Sequence, residues 1–321
     1  MKNPSARQAD MPTVKPLLPI ERILVGVDED GRSDHAVRAA LQLASKLDAS
    51  VELIHAVNVP SSRWRNADPV RIAAFNAEAL KHAWEALRHH FETAFAGELV
   101  GGKPLESMLR VLPGNAAKLI IDQMAGSSDI TQMIFVGPHR VEGVLDFGST
   151  ARSILAKSDH PVWVQPEEPR EIKRILVPID LTDESHQTIA VALSLAQTFG
   201  AEISLLHCFA NPVFAYAAHP EYPDLSPSYV IDDLRESTEA HLHEIVDAFN
   251  WQSVPHEVRF EVGDPVKTVL DLQSDTDLIV MGTHGTTGFA SAVLGSTAYG
   301  ILKKTTCPVV AVHHDRHNWL T

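Results

Sequence analysis

The second half of the chain alternates short apolar, β-branched runs with longer stretches whose apolar positions recur at helical spacing. The runs predict strands near 174–180, 202–208, 257–262, 277–282 and 308–312. Between them lie predicted helices near 184–199, 229–250, 265–273 and 296–304. The strand-like runs are apolar at successive positions, the pattern of parallel strands covered on both faces. Ala190, Val191, Leu193, Leu195 and Ala196 follow helical spacing, and Gly200 stands where a helix is closed by a left-handed residue. The first half repeats the alternation, with a long amphipathic helix expected near 69–95 that carries Phe75, Leu80, Trp84, Leu87 and Phe91 toward the core. Strand–helix alternation of this kind predicts an α/β fold, a doubly wound parallel five-stranded sheet in each half.

The halves are copies of one unit. Ile23-Leu24-Val25-Gly26-Val27-Asp28 matches Ile175-Leu176-Val177-Pro178-Ile179-Asp180, and the same offset of 152 positions pairs Ser33 with Ser185, Ala44 with Ala196 and His55 with His207. Further on, Val136-Gly137-Pro138-His139 aligns with Met281-Gly282-Thr283-His284, and Gly148-Ser149-Thr150-Ala151 with Gly295-Ser296-Thr297-Ala298. A register held over such lengths marks a tandem duplication. The expected domains are 21–166 and 172–314, joined by the polar, Pro-rich Pro166-Glu167-Glu168-Pro169. Residues 1–20 carry Pro4, Pro12, Pro16 and Pro19 without an apolar signal core, and read as a disordered leader. Insertions from Asn58 to Asp68 and from Asn211 to Ser228 leave the carboxyl end of each second strand, as loops over a pocket mouth or as solvated surface.

The chemistry gathers at one junction. After the run Asp277–Met281 come Gly282-Thr283-His284-Gly285, then nine residues, then Gly295-Ser296-Thr297 at the start of a helix. Glycines at a strand-to-helix junction let backbone N–H groups approach an anion, and the helix N-terminus adds partial positive charge. Ser296 and Thr297 add hydroxyl donors and a possible cap. This pattern describes a phosphate cradle. Asp180, and its copy Asp28, end a first strand at the carboxyl edge of the sheet. Each can accept from a nucleotide amine or sugar hydroxyl, or cap the helix that follows.

Composition narrows the classes. A formal net charge of −14 disfavours nonspecific nucleic-acid or anionic-membrane binding. Only Cys208 and Cys307 are present, which fits a reducing cytoplasm better than a disulfide scaffold. No apolar stretch reaches the roughly 18 residues of a membrane span. Seventeen histidines include His313, His314 and His317 near the C-terminus and His241 and His243 two apart on a helix, spacings that do not suit a zinc site. His284 is the histidine placed to meet a ligand, and His55 and His207 read as hydrogen-bonded structural residues. There is no Walker A sequence, no dinucleotide fingerprint after either first strand and no nucleophile elbow.

Taken together, the strand-ending aspartate, Gly263-Asp264-Pro265 and Met281-Gly282-Thr283-His284-Gly285 with Leu294-Gly295-Ser296 resemble the universal stress protein family, over nearly all of the chain past residue 20. The family's ATP signature (Gly, two residues, Gly, nine residues, Gly, then Ser or Thr) is matched by Gly282, Gly285, Gly295 and Ser296. The resemblance implies that Pro178 and Asp180 edge the adenine and that Cys208 offers a backbone contact to it. It implies that Met281 and Gly282 line the ribose, and that Gly285, Gly295, Ser296 and Thr297 hold the phosphates beside Thr283 and His284. ATP, with or without Mg²⁺, is the implied cofactor.

The first half departs from this signature. Arg140 replaces the second glycine, and Gly137 to Gly148 is two residues shorter than Gly282 to Gly295. Loss of nucleotide binding there is favoured, although Asp28, Gly148, Ser149 and Thr150 are retained and Arg140 can supply a cation. The leading expectation is a cytoplasmic ATP-dependent switch or scaffold that acts on an unidentified protein partner, with ATP in the second domain. Its rivals are a slow ATPase or nucleotidyl-transfer enzyme, and a nucleotide-free structural or lipid-binding protein. The resemblance also implies that 161–165 and 308–312 pair within the chain as a pseudo-dimer, with further homo-oligomers open.

Overall fold

The structure is a computed structural model that describes residues 20–59, 68–124, 131–137, 139–141, 144–146, 148–210, 228–283 and 294–313. The leader and most of the two insertions fall outside this range. Ten strands form the main sheet: β1 (Ile20–Gly26), β2 (Ser50–Val57), β3 (Leu109–Pro113), β4 (Thr131–Val136), β5 (Val162–Val164), β6 (Arg174–Pro178), β7 (Glu202–Phe209), β8 (His256–Val262), β9 (Leu278–Gly282) and β10 (Val309–Val312). The helices are α1 (Asp34–Leu47), α2 (Pro69–Ala94), α3 (Ala116–Met124), α4 (Gly148–Lys157), α5 (Glu184–Phe199), α6 (Ser228–Asp247), α7 (Pro265–Leu272) and α8 (Ser296–Lys304). Every strand and helix expected in the second half is present.

Strand order is β8-β7-β6-β9-β10-β5-β4-β1-β2-β3. Each half contributes five parallel strands of the expected doubly wound kind. They do not remain separate sheets. The last strands meet antiparallel, with Val309 opposite Val164, Val310 opposite Trp163 and Ala311 opposite Val162, so one sheet runs through both halves. The join covers two apolar edges that would otherwise expose unpaired backbone groups.

Alternation of side chains along each strand divides the core between the two faces of the sheet. Ile23 and Val25 join one cluster with residues of α1, α2, α5 and α6. Leu24 points into the other, with residues of α3, α4, α7 and α8. Both clusters contain residues of both halves, so neither half buries its core alone. Gly200 closes α5 at φ 69°, the left-handed conformation that its position requires.

Helix α2 corrects one expectation. Leu87 and Phe91 are buried, but Phe75 is 60% and Trp84 41% exposed. A helix of 26 residues is about 39 Å long, whereas an eight-residue strand spans about 26 Å. The N-terminal turns that carry Phe75 therefore outrun the sheet, whereas Trp84, between buried Ala83 and Leu87, faces outward under the Arg88 guanidinium. Among the described residues no helix is long and apolar enough to cross a membrane.

Candidate functional site

The strand order reverses direction between β6 and β9, which are neighbours in the sheet although β7 and β8 intervene in sequence. In an open α/β sheet the crevice at such a switch point, outside the carboxyl ends of the strands, is where a ligand is received. Asp180 follows β6 there, and Gly282 ends β9 beside it.

Asp180 has two different oxygens. Oδ1 accepts from the Thr182 backbone N–H at 3.2 Å, the Thr182 hydroxyl at 2.6 Å and the Ser185 hydroxyl at 3.0 Å. These bonds fix the turn into α5, but the N-cap of α5 is Asp183 and Asp180 accepts from no N–H of the helix, which corrects the alternative that it caps α5. Oδ2 is buried and, among the described residues, has no hydrogen-bond partner. A buried acceptor left unpaired costs about 1–3 kcal/mol, more when charged, and calls for an explanation. Leu181, between Asp180 and Thr182, sits at φ 63° in the left-handed region, which is uncommon for a bulky side chain. The turn is thus held in a costly shape that leaves one carboxylate oxygen free.

Behind it, His207 donates Nδ1–H to the Ile179 carbonyl at 3.0 Å, and its copy His55 does the same to Val27 at 2.9 Å. Both histidines are structural, as the sequence implied. Burial lowers the His207 pKa. Cys208 packs half-buried against the α7–α8 side of the core, and burial raises its thiol pKa. Cys307 is pushed up to about 12 by the same cause. Pro178 ends β6, with Leu206 opposite it on β7, and Met281 is buried in β9.

Thr283 and Gly295 flank the Gly-rich loop. The Gly295 N–H donates to the Thr283 carbonyl at 2.8 Å, which closes the base of the loop. His284 and Gly285 lie outside the described residues. Helix α8 starts directly after its N-cap Gly295, and among the described residues no side chain caps it. This corrects the expected capping role of Ser296 and Thr297. They are the exposed first residues of the helix, and the N–H groups of its first turn lack an internal acceptor. Asp264, by contrast, is a cap: it accepts from the Lys267 N–H at 2.7 Å and starts α7.

The first half builds the corresponding place differently. Asp28 accepts from the N–H and hydroxyl of Ser33 at 3.3 and 3.2 Å. Burial raises its pKa, and the neighbouring carboxylate of Asp30 adds to the rise. Asp30 occupies the position of Thr182, so a repelling group stands where the second half has a donor. The backbone of the turn after β1 presses on Gly137: a Cβ there would meet the Arg32 carbonyl oxygen at 2.9 Å. Arg140 belongs to a short hairpin, His139–Val141 against Val144–Asp146, in which it pairs with Leu145. Gly148, Ser149 and Thr150 open α4. The shortened loop has become a hairpin, and it packs against α8 of the second half.

Sequence reasoning missed two things here. The Thr182–Asp30 difference was readable at the known offset of the repeat. The other is His313, which the structure places with its Nδ1 3.1 Å from the Thr283 hydroxyl. A separate cleft of about 370 Å³, lined by Arg174, Glu202, Ser204, Glu257 and Arg259 among others, lies at the opposite, amino-terminal edge of β6–β8 and takes no part in this site.

Comparison with known proteins agrees with the architecture. The model of the universal stress protein family matches residues 19–166 and again 171–313. A universal stress protein of Mycolicibacterium smegmatis is 28% identical over 307 residues, 90% of this chain and 96% of that protein. Universal stress protein E of Salmonella typhi is 24% identical over 314 residues, 92% of this chain and 95% of that one. The crystal structure of a universal stress protein from Archaeoglobus fulgidus superposes with a TM-score of 0.63 at 16% identity, covering 92% of this chain and 98% of that chain. Two matches of the family model, spanning nearly the whole sequence, thus coincide with the two halves of one sheet, and the chain belongs to the universal stress protein family as a tandem of two family domains.

Proposed function

We propose that the second domain binds ATP in the crevice between β6 and β9, and that the protein acts as a nucleotide-dependent switch or scaffold in a stress response. The observation that carries this reading is Asp180 Oδ2, a buried acceptor without a partner among the described residues, at the switch point of the sheet. An adenine amine or a ribose hydroxyl is a donor of the kind it lacks. The uncapped start of α8, with Gly295 before it and the exposed Ser296 and Thr297 in its first turn, suits the phosphates. The left-handed Leu181 supports the same reading, since such backbone cost is typically retained where a site needs it. Mg²⁺, where bound, would ride on the phosphate oxygens. The first domain, with Asp28 beside Asp30 and Gly137 under its own turn, acts mainly as a structural partner.

Isothermal titration of the full chain with ATP, with and without Mg²⁺, tests this. One site per chain and a rise in melting temperature are expected. Absence of both at millimolar ATP overturns the reading. Phosphate release from the same mixture separates a switch from a slow ATPase: turnover that is lost in a Gly295 variant favours the enzyme.

A further inference from the structure

The base of the Gly-rich loop is wired into the other domain. Gly295 donates its N–H to the Thr283 carbonyl at 2.8 Å, and the Thr283 N–H donates to the Val312 carbonyl at 3.0 Å. The Thr283 hydroxyl meets His313 Nδ1 at 3.1 Å, and His313 Nε2 is hydrogen-bonded to the carbonyl oxygen of Leu155, on α4 of the first domain. A carbonyl oxygen only accepts, so Nε2 carries the proton. In the neutral ring Nδ1 is then the acceptor, and the Thr283 hydroxyl donates to it. Thr283 and His313 are both buried, at 1% and 7% exposure, so solvent competes little for these bonds.

The duplication supplies an internal control. Pro138 stands at the position of Thr283, and Pro166 at that of His313. Neither proline has a side-chain donor or acceptor, so the first domain cannot build the reciprocal chain. Two more contacts run the same way. Arg152 of α4 lies over the Tyr299 ring of α8 at 6.0 Å, and the first-domain hairpin packs against α8. Contacts from the first domain therefore converge on the helix and the residue pair that frame the loop.

We propose that His313 is a positioning residue through which the first domain sets the spacing of Thr283 and Gly295, so that the degenerate first domain braces the nucleotide site of its partner in cis. This inference rests on the ATP reading for its functional consequence but not for its structural one. Free energy that ties the Thr283–Gly295 pair to α4 must by linkage be felt equally from either side.

The test uses the full chain with His313→Phe, which keeps ring volume and removes both bonds, and His313→Gln, whose amide offers one donor and one acceptor. Thr283→Val and Thr283→Ser form a second pair that leaves the Leu155 bond intact, should His313→Phe fail to fold. Hydrogen exchange of the Gly295 amide is read without ligand, and ATP affinity by titration. In His313→Phe and Thr283→Val, Gly295 exchange is expected to quicken and ATP affinity to fall, each by about tenfold, the scale of one or two lost hydrogen bonds. His313→Gln and Thr283→Ser are expected to recover most of both. Unchanged exchange, or quicker exchange with unchanged affinity, overturns the positioning role. If the wild-type chain binds no ATP, the functional reading fails separately, and exchange at Gly295 alone decides the brace.

Discussion

Trp163 and Val310 face each other at the centre of the antiparallel seam, on the axis that relates the two halves. The pairs on either side, Val309 with Val164 and Ala311 with Val162, exchange under that axis because Val162 corresponds to Val309 and Val164 to Ala311. The axial pair itself is unequal. Trp163 is 2% exposed, stacks on Phe135 at 5.0 Å and reaches Phe199 of the second domain at 6.3 Å. Its indole N–H donates to Gln165 at 2.8 Å, so the buried polar group is satisfied.

One residue therefore seals the join from both sides, and truncating it should show in global stability. Trp163→Ala is expected to cost about 3–5 kcal/mol in urea unfolding, the range for a buried aromatic reduced to alanine. Val310→Trp should also destabilise, by about 1–3 kcal/mol, because two large rings would meet on the axis. A stable Val310→Trp variant would show that the seam has room the structure does not give it.

A second inequality between the halves concerns helix ends. Gly200 closes α5 at φ 69°, while its counterpart Asp48 closes α1 at φ 54°. In both, the capping N–H reaches back to the matching alanine, Ala196 or Ala44. A left-handed conformation costs a residue with a Cβ roughly 1 kcal/mol, less for Asp than for most. Asp48→Gly is thus expected to stabilise the chain by about 0.5 kcal/mol, and Gly200→Ala to destabilise it by about 1 kcal/mol. Paired urea denaturation curves check both signs.

These comparisons show why parts of the molecule were legible in the sequence. The strands and α5 were readable because burial on two faces leaves continuous apolar runs, and Gly200 because a left-handed cap favours one residue type. Asp180 is legible by its place at a strand end, but its two oxygens behave differently, and no sequence pattern separates them. Thr182 against Asp30 was visible at the offset of the repeat, though its meaning depends on knowing that both face the strand-ending aspartate. His313 looked like one of a C-terminal crowd of histidines. Its partner Leu155 is 158 positions away, on a helix of the other half, and no local pattern encodes that contact. Phe75 misled because helical spacing records which side of a helix is apolar, not how far the covering sheet extends, and Trp84 because it stands one position off the buried stripe of Ala83, Leu87 and Phe91.

The unpaired oxygen of Asp180 gives the sharpest test of the site. Asp180→Asn keeps an oxygen for Thr182 and Ser185 and converts the free acceptor into an amide donor. ATP affinity is expected to fall by tenfold or more, since a hydrogen bond to a charged group contributes about 1.5–3 kcal/mol. The melting temperature without ligand should change little, because one unpaired buried polar group is exchanged for another while the Thr182 and Ser185 bonds are kept. Titration calorimetry and thermal melts of the same preparation read the two effects. Unchanged affinity would take Asp180 out of the ligand's reach.

Acid should weaken the second domain through His207. Burial of the ring lowers its pKa from the ordinary 6.5, against the hydrogen bond to the Ile179 carbonyl, which raises it. Asp180 also raises it by favouring the cation, while His241 adds to the lowering. Since the unfolded chain takes up this proton first, the contribution to stability is complete above pH 6.5 and is lost as pH falls through the folded value. The slope stays below about 1.4 kcal/mol per pH unit, the limit for one proton, and solvent screening of the half-exposed ring reduces it further. His207→Asn retains an N–H donor near Nδ1 but does not titrate. Its unfolding free energy, measured in urea between pH 5 and pH 7.5 at constant ionic strength, is expected to vary less with pH than that of the wild type. Parallel profiles for the two proteins would place the acid sensitivity elsewhere.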